Sequence, residues 1–384
     1  MMNRIYLDHA ATTPVSSRVL EAMLPFFCEC WGNASAVYAT GREARKAVEN
    51  ARKQTAQAIG AQPQEILFTS GGTESDNLAI RGAANALRHK GRHIITTAIE
   101  HHAVLNTCKT LEKEGFEVTY LQPDPTGRIA PESLVPALRE DTILVSVMTA
   151  NNEIGTLQPI RELAETAKAH GALFHTDAVQ AVGAVPVDVE ETGVDLLSLS
   201  AHKFYGPKGA GALYVRRGTR LDPVLTGGKQ ERGLRGGTEN VPAVVGLGAA
   251  IGEAAANLGK NAEMTAALRD ELERRILSRM KGVRVNGLTG GRLPNNSSLT
   301  FENVDGEALL LRLDLAGVAA SAGSACTSGS LESSHVLHAI GLSEAEARGT
   351  LRLTVGTDNT REEIARAADL VISLAEELRS MYGR

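Results

Sequence analysis

The chain has 384 residues, 43% of them hydrophobic and 22% charged. That suffices for a core hiding about three-quarters of the unfolded surface without disulfides, and it excludes a disordered chain. Forty Lys and Arg against 45 Asp and Glu leave a formal net charge of −5, which argues against a nucleic-acid binder, while 38 glycines beside only 4% aromatics suit an α/β enzyme.

One arginine precedes Ile5 and no apolar stretch follows it, so no secretory signal is expected. No run of about 18 apolar residues occurs, so no membrane partner is expected. Cysteines stand at 28, 30, 108 and 326, too scattered for a disulfide framework, which fits a reducing, cytoplasmic compartment. Cys28-x-Cys30 is not a zinc spacing, so no metal is expected there.

Thr40 and Glu43 read as a capping box and Gly60 as a stop, predicting a helix between them. A strand follows over 65–70, a helix over 73–90 and a strand over 93–99. Next come a helix over 103–114, a strand over 117–122, a helix over 131–139 and an apolar strand over 142–148. A helix over 159–170 has Pro159 in its first turn. Strands over 172–178, 196–201 and 211–217 complete a set of seven. Nearly continuous apolar strands alternating with helices predict a mainly parallel sheet covered on both faces, with ligands at the strands' carboxyl ends. After residue 218 the pattern changes. Residues 226–240 hold five glycines with Lys229, Arg232 and Arg235, which composition reads as a mobile surface loop. An Ala-rich helical stretch covers 241–280. Shorter strands (283–286, 297–302, 351–355) then mix with helices (306–315, 360–382), predicting a smaller α+β domain.

Residues with chemistry gather at the strand ends. Thr69-Ser70-Gly71-Gly72-Thr73 joins a strand to a helix. It is either an ordinary turn or a cradle offering helix N–H groups to an anion. Asp177, in Thr176-Asp177-Ala178-Val179-Gln180, is an N-cap or a carboxylate for a cationic ring nitrogen. Ser200-Ala201-His202-Lys203 places a lysine just after a strand among Ser and His, the setting of an amine that forms a Schiff base. Glu100-His101-His102 ends another strand. Near the C-terminus Cys326 stands among small residues, as a thiol in a linker or as a nucleophile on a mobile loop. Arg352 offers a bidentate fork to a carboxylate or to an acidic neighbour.

Together these segments resemble the fold-type I pyridoxal-phosphate enzymes, which need an anion cradle, a lysine, an acid facing the ring nitrogen and a flat group over the ring. With Tyr6-Leu7-Asp8-His9-Ala10-Ala11-Thr12-Thr13, Asn151-Asn152-Glu153-Ile154-Gly155, Arg235-Gly236-Gly237-Thr238-Glu239-Asn240 and Ser324-Ala325-Cys326-Thr327-Ser328, the chain resembles the group I cysteine desulfurases of the NifS/IscS family, relatives of the class V aminotransferases. Gly237-Thr238-Glu239-Asn240 and Ser328-Gly329-Ser330-Leu331-Glu332 lean toward the nitrogen-fixation type.

The resemblance implies a large domain over 15–258 with a seven-stranded sheet, and a small domain of 1–14 and 259–384 carrying the Cys326 loop. It implies pyridoxal 5′-phosphate held by Lys203, with Asp177 on the ring nitrogen, His101 over the ring and Gln180 on the phenolate oxygen. Gly72, Thr73, Ser200 and His202 would bind the phosphate, and Thr238 would reach it from the other subunit of a homodimer. Asn152 would serve cofactor and substrate, with Arg352 and Asn33 on the carboxylate of L-cysteine. His101 would also move thiol protons. Cys326 would take the sulfur as a persulfide, leaving L-alanine, and pass it to an acceptor such as a NifU/IscU-like scaffold protein for iron–sulfur assembly. Two departures stand out. Gly32-Asn33-Ala34-Ser35-Ala36-Val37-Tyr38 lacks the Pro and His of the family's Gly-Asn-Pro-Ser-Ser-x-His, and Ala322 replaces a usual Ser. An aminotransferase or selenocysteine lyase would share Lys203 and Asp177 but would not need Cys326.

Overall fold

The computed structural model describes residues 4–322 and 333–382. Its strands are Ile5–Tyr6 (β1), Ile66–Thr69 (β2), His93–Thr97 (β3), Glu117–Leu121 (β4), Thr142–Ser146 (β5), Leu173–Asp177 (β6), Leu196–Ser200 (β7), Gly211–Val215 (β8), Val283–Val285 (β9), Asn296–Phe301 (β10), Val318–Ala319 (β11) and Thr350–Thr354 (β12). Its helices are Ser17–Met23 (α1), Pro25–Cys28 (α2), Ala39–Ala58 (α3), Gly72–Leu87 (α4), His102–Lys113 (α5), Pro131–Leu134 (α6), Ile160–Ala169 (α7), Val189–Thr192 (α8), Val241–Ala256 (α9), Leu258–Arg279 (α10), Gly306–Leu315 (α11), His335–Ala339 (α12), Glu344–Arg348 (α13) and Arg361–Tyr382 (α14).

Seven strands form one sheet in the order β2-β8-β7-β6-β5-β3-β4. From β4 to β7 neighbours run parallel, and β8 is antiparallel to both β7 and β2. Every residue of β3, β5 and β7 is buried, which is why these segments show no polar–apolar alternation, their few Ser, Thr and His residues being buried with the apolar ones. Helices α4 and α5 pack together, with α4 lying on β7 and β8, while α3 packs along α9. A second sheet, β12-β10-β9, is antiparallel. The chain's start returns to this region, because β1 pairs in parallel with β11 and Asp8 bridges to Thr354. Apolar side chains form a large cluster against the seven-stranded sheet, a second one joining that sheet to α4 and α5 through Leu67, Ile80, Ile94 and Val104, and another joining Ile5 and Leu7 to Leu272, Leu353 and Val371. A small cluster of Ile99, Ile154, Val336 and Leu337 sits between the two sheets' connections.

Several sequence expectations are corrected. No capping box opens α3. It starts at Ala39 behind an extended Tyr38 that makes no side-chain cap, so Thr40 is already helical. The helix expected over 131–139 shrinks to α6 and a 3₁₀ turn over Val135–Ala137, because Pro136 has no N–H and its ring crowds the preceding turn. Pro159 is the residue before α7, not in its first turn. The helical stretch 241–280 breaks at Asn257, where α9 and α10 meet at 74°. Among the described residues no single helix is long and apolar enough to cross a membrane.

Candidate active site

Four connections meet at the carboxyl ends of the large sheet. After β2 the chain turns through Gly71 into α4. Gly71 has φ +155°, and a Cβ added to Gly72 would lie 2.7 Å from Val179 Cγ2. A Cβ on Gly211 would strike Gly71 at 2.6 Å, so the turn rests directly on β8 with Ser200 beside it. Side chains would fill this space, and glycine keeps it open. Thr73 is the second residue of α4, at the helix end that attracts anions.

After β7 a 3₁₀ turn over Ala201–Lys203 presents His202 and Lys203. Tyr205, which follows, is held at φ +64°; its N–H donates to Thr13 Oγ1 at 2.8 Å and its hydroxyl accepts from the Thr357 N–H at 2.7 Å. A non-glycine residue in that region is strained, and the neighbours that hold it fix the direction of Lys203. The Lys203 ammonium donates to the carbonyls of Ala10 and, at 2.9 Å, Ala11. Gln180 also donates to Ala10 O, at 2.9 Å. His202 Nδ1 meets Thr12 Oγ1 at 3.1 Å, and Thr13 donates twice to His202 O. The segment from Tyr6 to Thr13 thus ties together three candidate cofactor residues.

Asp177, at the end of β6, accepts from the Val179 N–H at 2.9 Å. Burial pushes its carboxyl up to about 6, while the Val179 bond and nearby Lys203 pull the other way. One ligand atom each of Asp177, Asp76 and His101 lie within 4.8 Å of one another. This trio has the donor types of a metal site, but Lys203 and a glycine cradle beside it suit an organic cation better. Asp76 is 1% exposed, and its Oδ1 makes no hydrogen bond among the described residues, with His175 Nε2 3.6 Å away; burial, then the charge of Asp177, raise it well above the usual carboxyl range. Behind it His175 bonds Ser146 Oγ at 2.8 Å and Ser198 Oγ at 3.0 Å, and burial lowers it to about 3. His101 caps α5, its Nδ1 accepting from the Ala103 N–H at 3.1 Å, which leaves the proton on Nε2. Burial, then the charge of Lys203, lowers it to about 4, so it is a neutral imidazole at pH 7. His202 falls to about 4 for the same two reasons.

Arg352 lies on β12 and is 2% exposed. One nitrogen donates to Asp8 Oδ1 at 2.8 Å, another to the Asn152 carbonyl at 3.1 Å, and its Nε is buried without a hydrogen-bond partner among the described residues. Asn152 therefore touches Arg352 through its backbone. Two expected residues stand apart from this group. Asn33 is exposed and accepts from the Ser35 N–H within its own loop. Thr238 is exposed too, but its loop is anchored rather than loose. Glu231 makes a buried two-bond pair with Arg52, both bonds 2.8 Å, and accepts from the Phe68 N–H, while Arg235 pairs with Glu74 at the start of α4. Cys326 lies outside the described residues.

Reading the sequence assigned no role to Asp76, nor to Glu100 and Asp8 within the motifs that contain them. Asp76 carries a signal in hindsight, since it takes the buried face of α4 otherwise filled by Ala79, Ile80 and Ala83. Glu100 is buried with one unpartnered oxygen; burial lifts it to about 8 against bonds from Thr97 and the Met148 N–H.

The donor set fits pyridoxal phosphate: a glycine-lined helix start for the phosphate, a lysine at its edge and a buried carboxyl for a cationic ring nitrogen. A model of the family described as aminotransferase class-V matches residues 5–367. The "Cysteine desulfurase IscS" of Dictyoglomus turgidum is 53% identical over 381 residues, covering 99% of this chain and 97% of that protein. Among solved structures, a "NifS-like protein" superposes with a TM-score of 0.92 at 38% identity, covering 97% of this chain and all of that one. Another, described as "SspA in complex with cysteine", gives a TM-score of 0.83 at 41% identity over 93% of this chain and all of that one. The resemblance drawn from the motifs is borne out, though these matches carry both the IscS and the NifS name and give the nitrogen-fixation lean little weight.

Proposed function

The chain belongs to the class-V aminotransferase family, and from that premise we propose that it is a cysteine desulfurase. It works with pyridoxal 5′-phosphate, converts L-cysteine to L-alanine and passes the sulfur on. The observation that carries this reading is the meeting of Lys203, Asp177 and His101 beside a glycine-lined helix start, in a chain so similar over its length to a cysteine desulfurase.

When bound, the cofactor supplies an electron sink for the bonds at the substrate's Cα and Cβ. The protein does the rest. Gly72, Thr73, Ser200 and His202 bind the phosphate, with Thr238 added from a second subunit. Asp177 as carboxylate accepts the ring N–H and keeps the ring cationic. Lys203 holds the cofactor and later moves the Cα proton. Gln180 donates to the phenolate oxygen. Arg352, backed by Asn152, takes the substrate carboxylate, and Asn33 lines the entry. His101, neutral and protonated on Nε2, would lie over the ring and would act toward the thiols as the donor of that Nε2 proton. Cys326 attacks the substrate sulfur: an S–S bond forms, the Cβ–S bond breaks and a proton goes to carbon. The products are L-alanine and a Cys326 persulfide, which an iron–sulfur scaffold protein takes up.

The division into a large domain, 15–258, and a small one, 1–14 with 259–384, is supported by the two main apolar clusters. A cytoplasmic setting is supported by the free thiols of Cys28, Cys30 and Cys108. The test is incubation of the holoprotein with L-cysteine. Alanine should form, and mass spectrometry should find about 32 Da, one sulfur atom, on Cys326. Cys326→Ser should bind L-cysteine yet release no alanine. Alanine at the wild-type rate from that variant would overturn the persulfide route and leave a lyase.

A further inference from the structure

A buried guanidinium needs a counter-charge, and in this protein the counter-charge comes from the chain's own start. Arg352 is among the largest fully buried side chains. Of its three nitrogens, Nη2 donates to Asp8 Oδ1 at 2.8 Å and Nη1 to the Asn152 carbonyl at 3.1 Å. Nε is buried and, among the described residues, has no acceptor. Such a donor is costly to leave unmet, and an arriving carboxylate is the natural group to meet it. Asp8 cannot swing away easily. Its neighbours are pinned, since Thr354 donates to Leu7 O at 2.8 Å, the Ala10 N–H donates to Thr354 Oγ1 at 2.9 Å, and the Tyr6 hydroxyl bonds the carbonyls of Asp8 and Thr12.

We infer that Asp8 is a positioning residue for the substrate: it fixes the plane of Arg352 so that the Nε edge faces the incoming carboxylate, and its own charge limits how tightly that carboxylate binds. The inference rests on the reading of Arg352 as the carboxylate site. Two effects of Asp8 then oppose each other. Its hydrogen bond orients the fork, which favours binding. Its negative charge, beside the same guanidinium in a poorly solvated place, repels a second anion. The two separate by substitution. Asp8→Asn keeps an oxygen for the Nη2 bond and removes the charge. Asp8→Ala removes both. The same segment carries the carbonyls that receive the Lys203 ammonium, so one pinned strip of backbone aligns the groups at both ends of the substrate.

The experiment is equilibrium binding to the holoprotein, read from its visible spectrum, with L-alanine as a carboxylate ligand that has no sulfur and cysteamine as an amine without a carboxylate. Asp8→Asn should tighten L-alanine by about threefold or more and leave cysteamine unchanged. Asp8→Ala should weaken L-alanine by about tenfold and again spare cysteamine. A merely structural role would weaken both ligands in both variants, and that result, or unchanged L-alanine binding in Asp8→Asn, overturns the inference. Arg352→Lys separates the two levels. If it leaves L-alanine binding intact, the carboxylate site itself is misplaced; if it weakens L-alanine while Asp8→Asn changes nothing, only the role of Asp8 fails. Should Asp8→Asn not fold, Tyr6→Phe loosens the same turn without touching the charge and should weaken L-alanine alone.

Discussion

Buried carboxyls define this site at the scale of single residues. Asp177, lifted by burial to about 6, is ionised at neutral pH and can pair with a cationic ring nitrogen. Turnover should therefore fall as pH drops through about 6 and below, since a bound cation lowers the value further. Asp177→Asn should cost about 100-fold or more in turnover, lose that acid limb and weaken cofactor retention by a smaller factor, which a pH–rate profile and a cofactor dialysis would read. Glu100 gives the opposite sign in stability. Its carboxyl stands at about 8 in the folded protein against an ordinary 4.5, so between those values the folded state holds a proton that the unfolded chain has released. Its contribution to stability is full below about pH 4.5 and is lost as pH rises through about 8. Glu100→Gln keeps the shape and has no proton to lose. It should flatten the loss by up to about 1.4 kcal/mol per pH unit across that window, seen as denaturant midpoints at about pH 5 and about pH 8. Lysine 203 offers the bluntest test: Lys203→Ala should abolish the visible band of the bound cofactor and turnover together, and full activity would reject its assignment.

Among elements, the glycine-rich segment after β8 shows where composition misleads. Five glycines over 226–240 suggest mobility, yet Glu231 and Arg232 sit at φ +42° and +60°, held there by bonds that Arg52 and the Phe68 N–H donate to Glu231 and that Arg232 donates to the Ile66 carbonyl. Such backbone persists only where its surroundings determine it. Removing the charge of Glu231 leaves the Arg52 guanidinium buried, so Glu231→Gln should cost about 3 kcal/mol in an equilibrium unfolding measurement and should loosen Thr238 with it. The strands and long helices, by contrast, were legible, because strands buried on both faces are mainly apolar and Gly60, at φ +71°, ends α3 where a left-handed residue is needed. Helix starts were less so. Thr40 and Glu43 match a capping pattern by sequence, but the chain enters α3 two residues too early for them to act on its first N–H groups. The lysine and the acid at strand ends were legible as candidates, since each needs a setting that chance rarely supplies. Asp76 and Asp8 were not, because their meaning depends on neighbours 101 and 344 residues away in the chain, Asp177 and Arg352.

At the scale of the whole molecule, a run of exposed apolar side chains stands out. Leu24, Phe27, Trp31, Val37 and Tyr38 are all more than half exposed, Trp31 at 70% and Val37 at 85%, and Leu225 is exposed close by in sequence to the Thr238 segment. The two stretches adjoin, for Ala34 and Ser35 line the same cleft as Lys229, Gln230 and Glu239. Exposed apolar side chains of this kind suit an interface, and Thr238 is exposed close to them. A second copy related by a two-fold axis would cover the patch and bring each Thr238 to the other copy's glycine cradle, giving two composite sites. Two measurements then follow from one geometry. Trp31→Glu with Val37→Glu should shift the protein toward monomer in sedimentation and lower turnover in step, because a monomer lacks the borrowed threonine. Mixing Thr238→Ala chains with Lys203→Ala chains should restore part of the activity that each lacks alone, since the mixed dimer contains one site with both an intact lysine and an intact threonine. A monomer as active as the parent protein, or mixed chains no better than their separate average, would mean that Thr238 serves its own chain and that the apolar face belongs to some other partner.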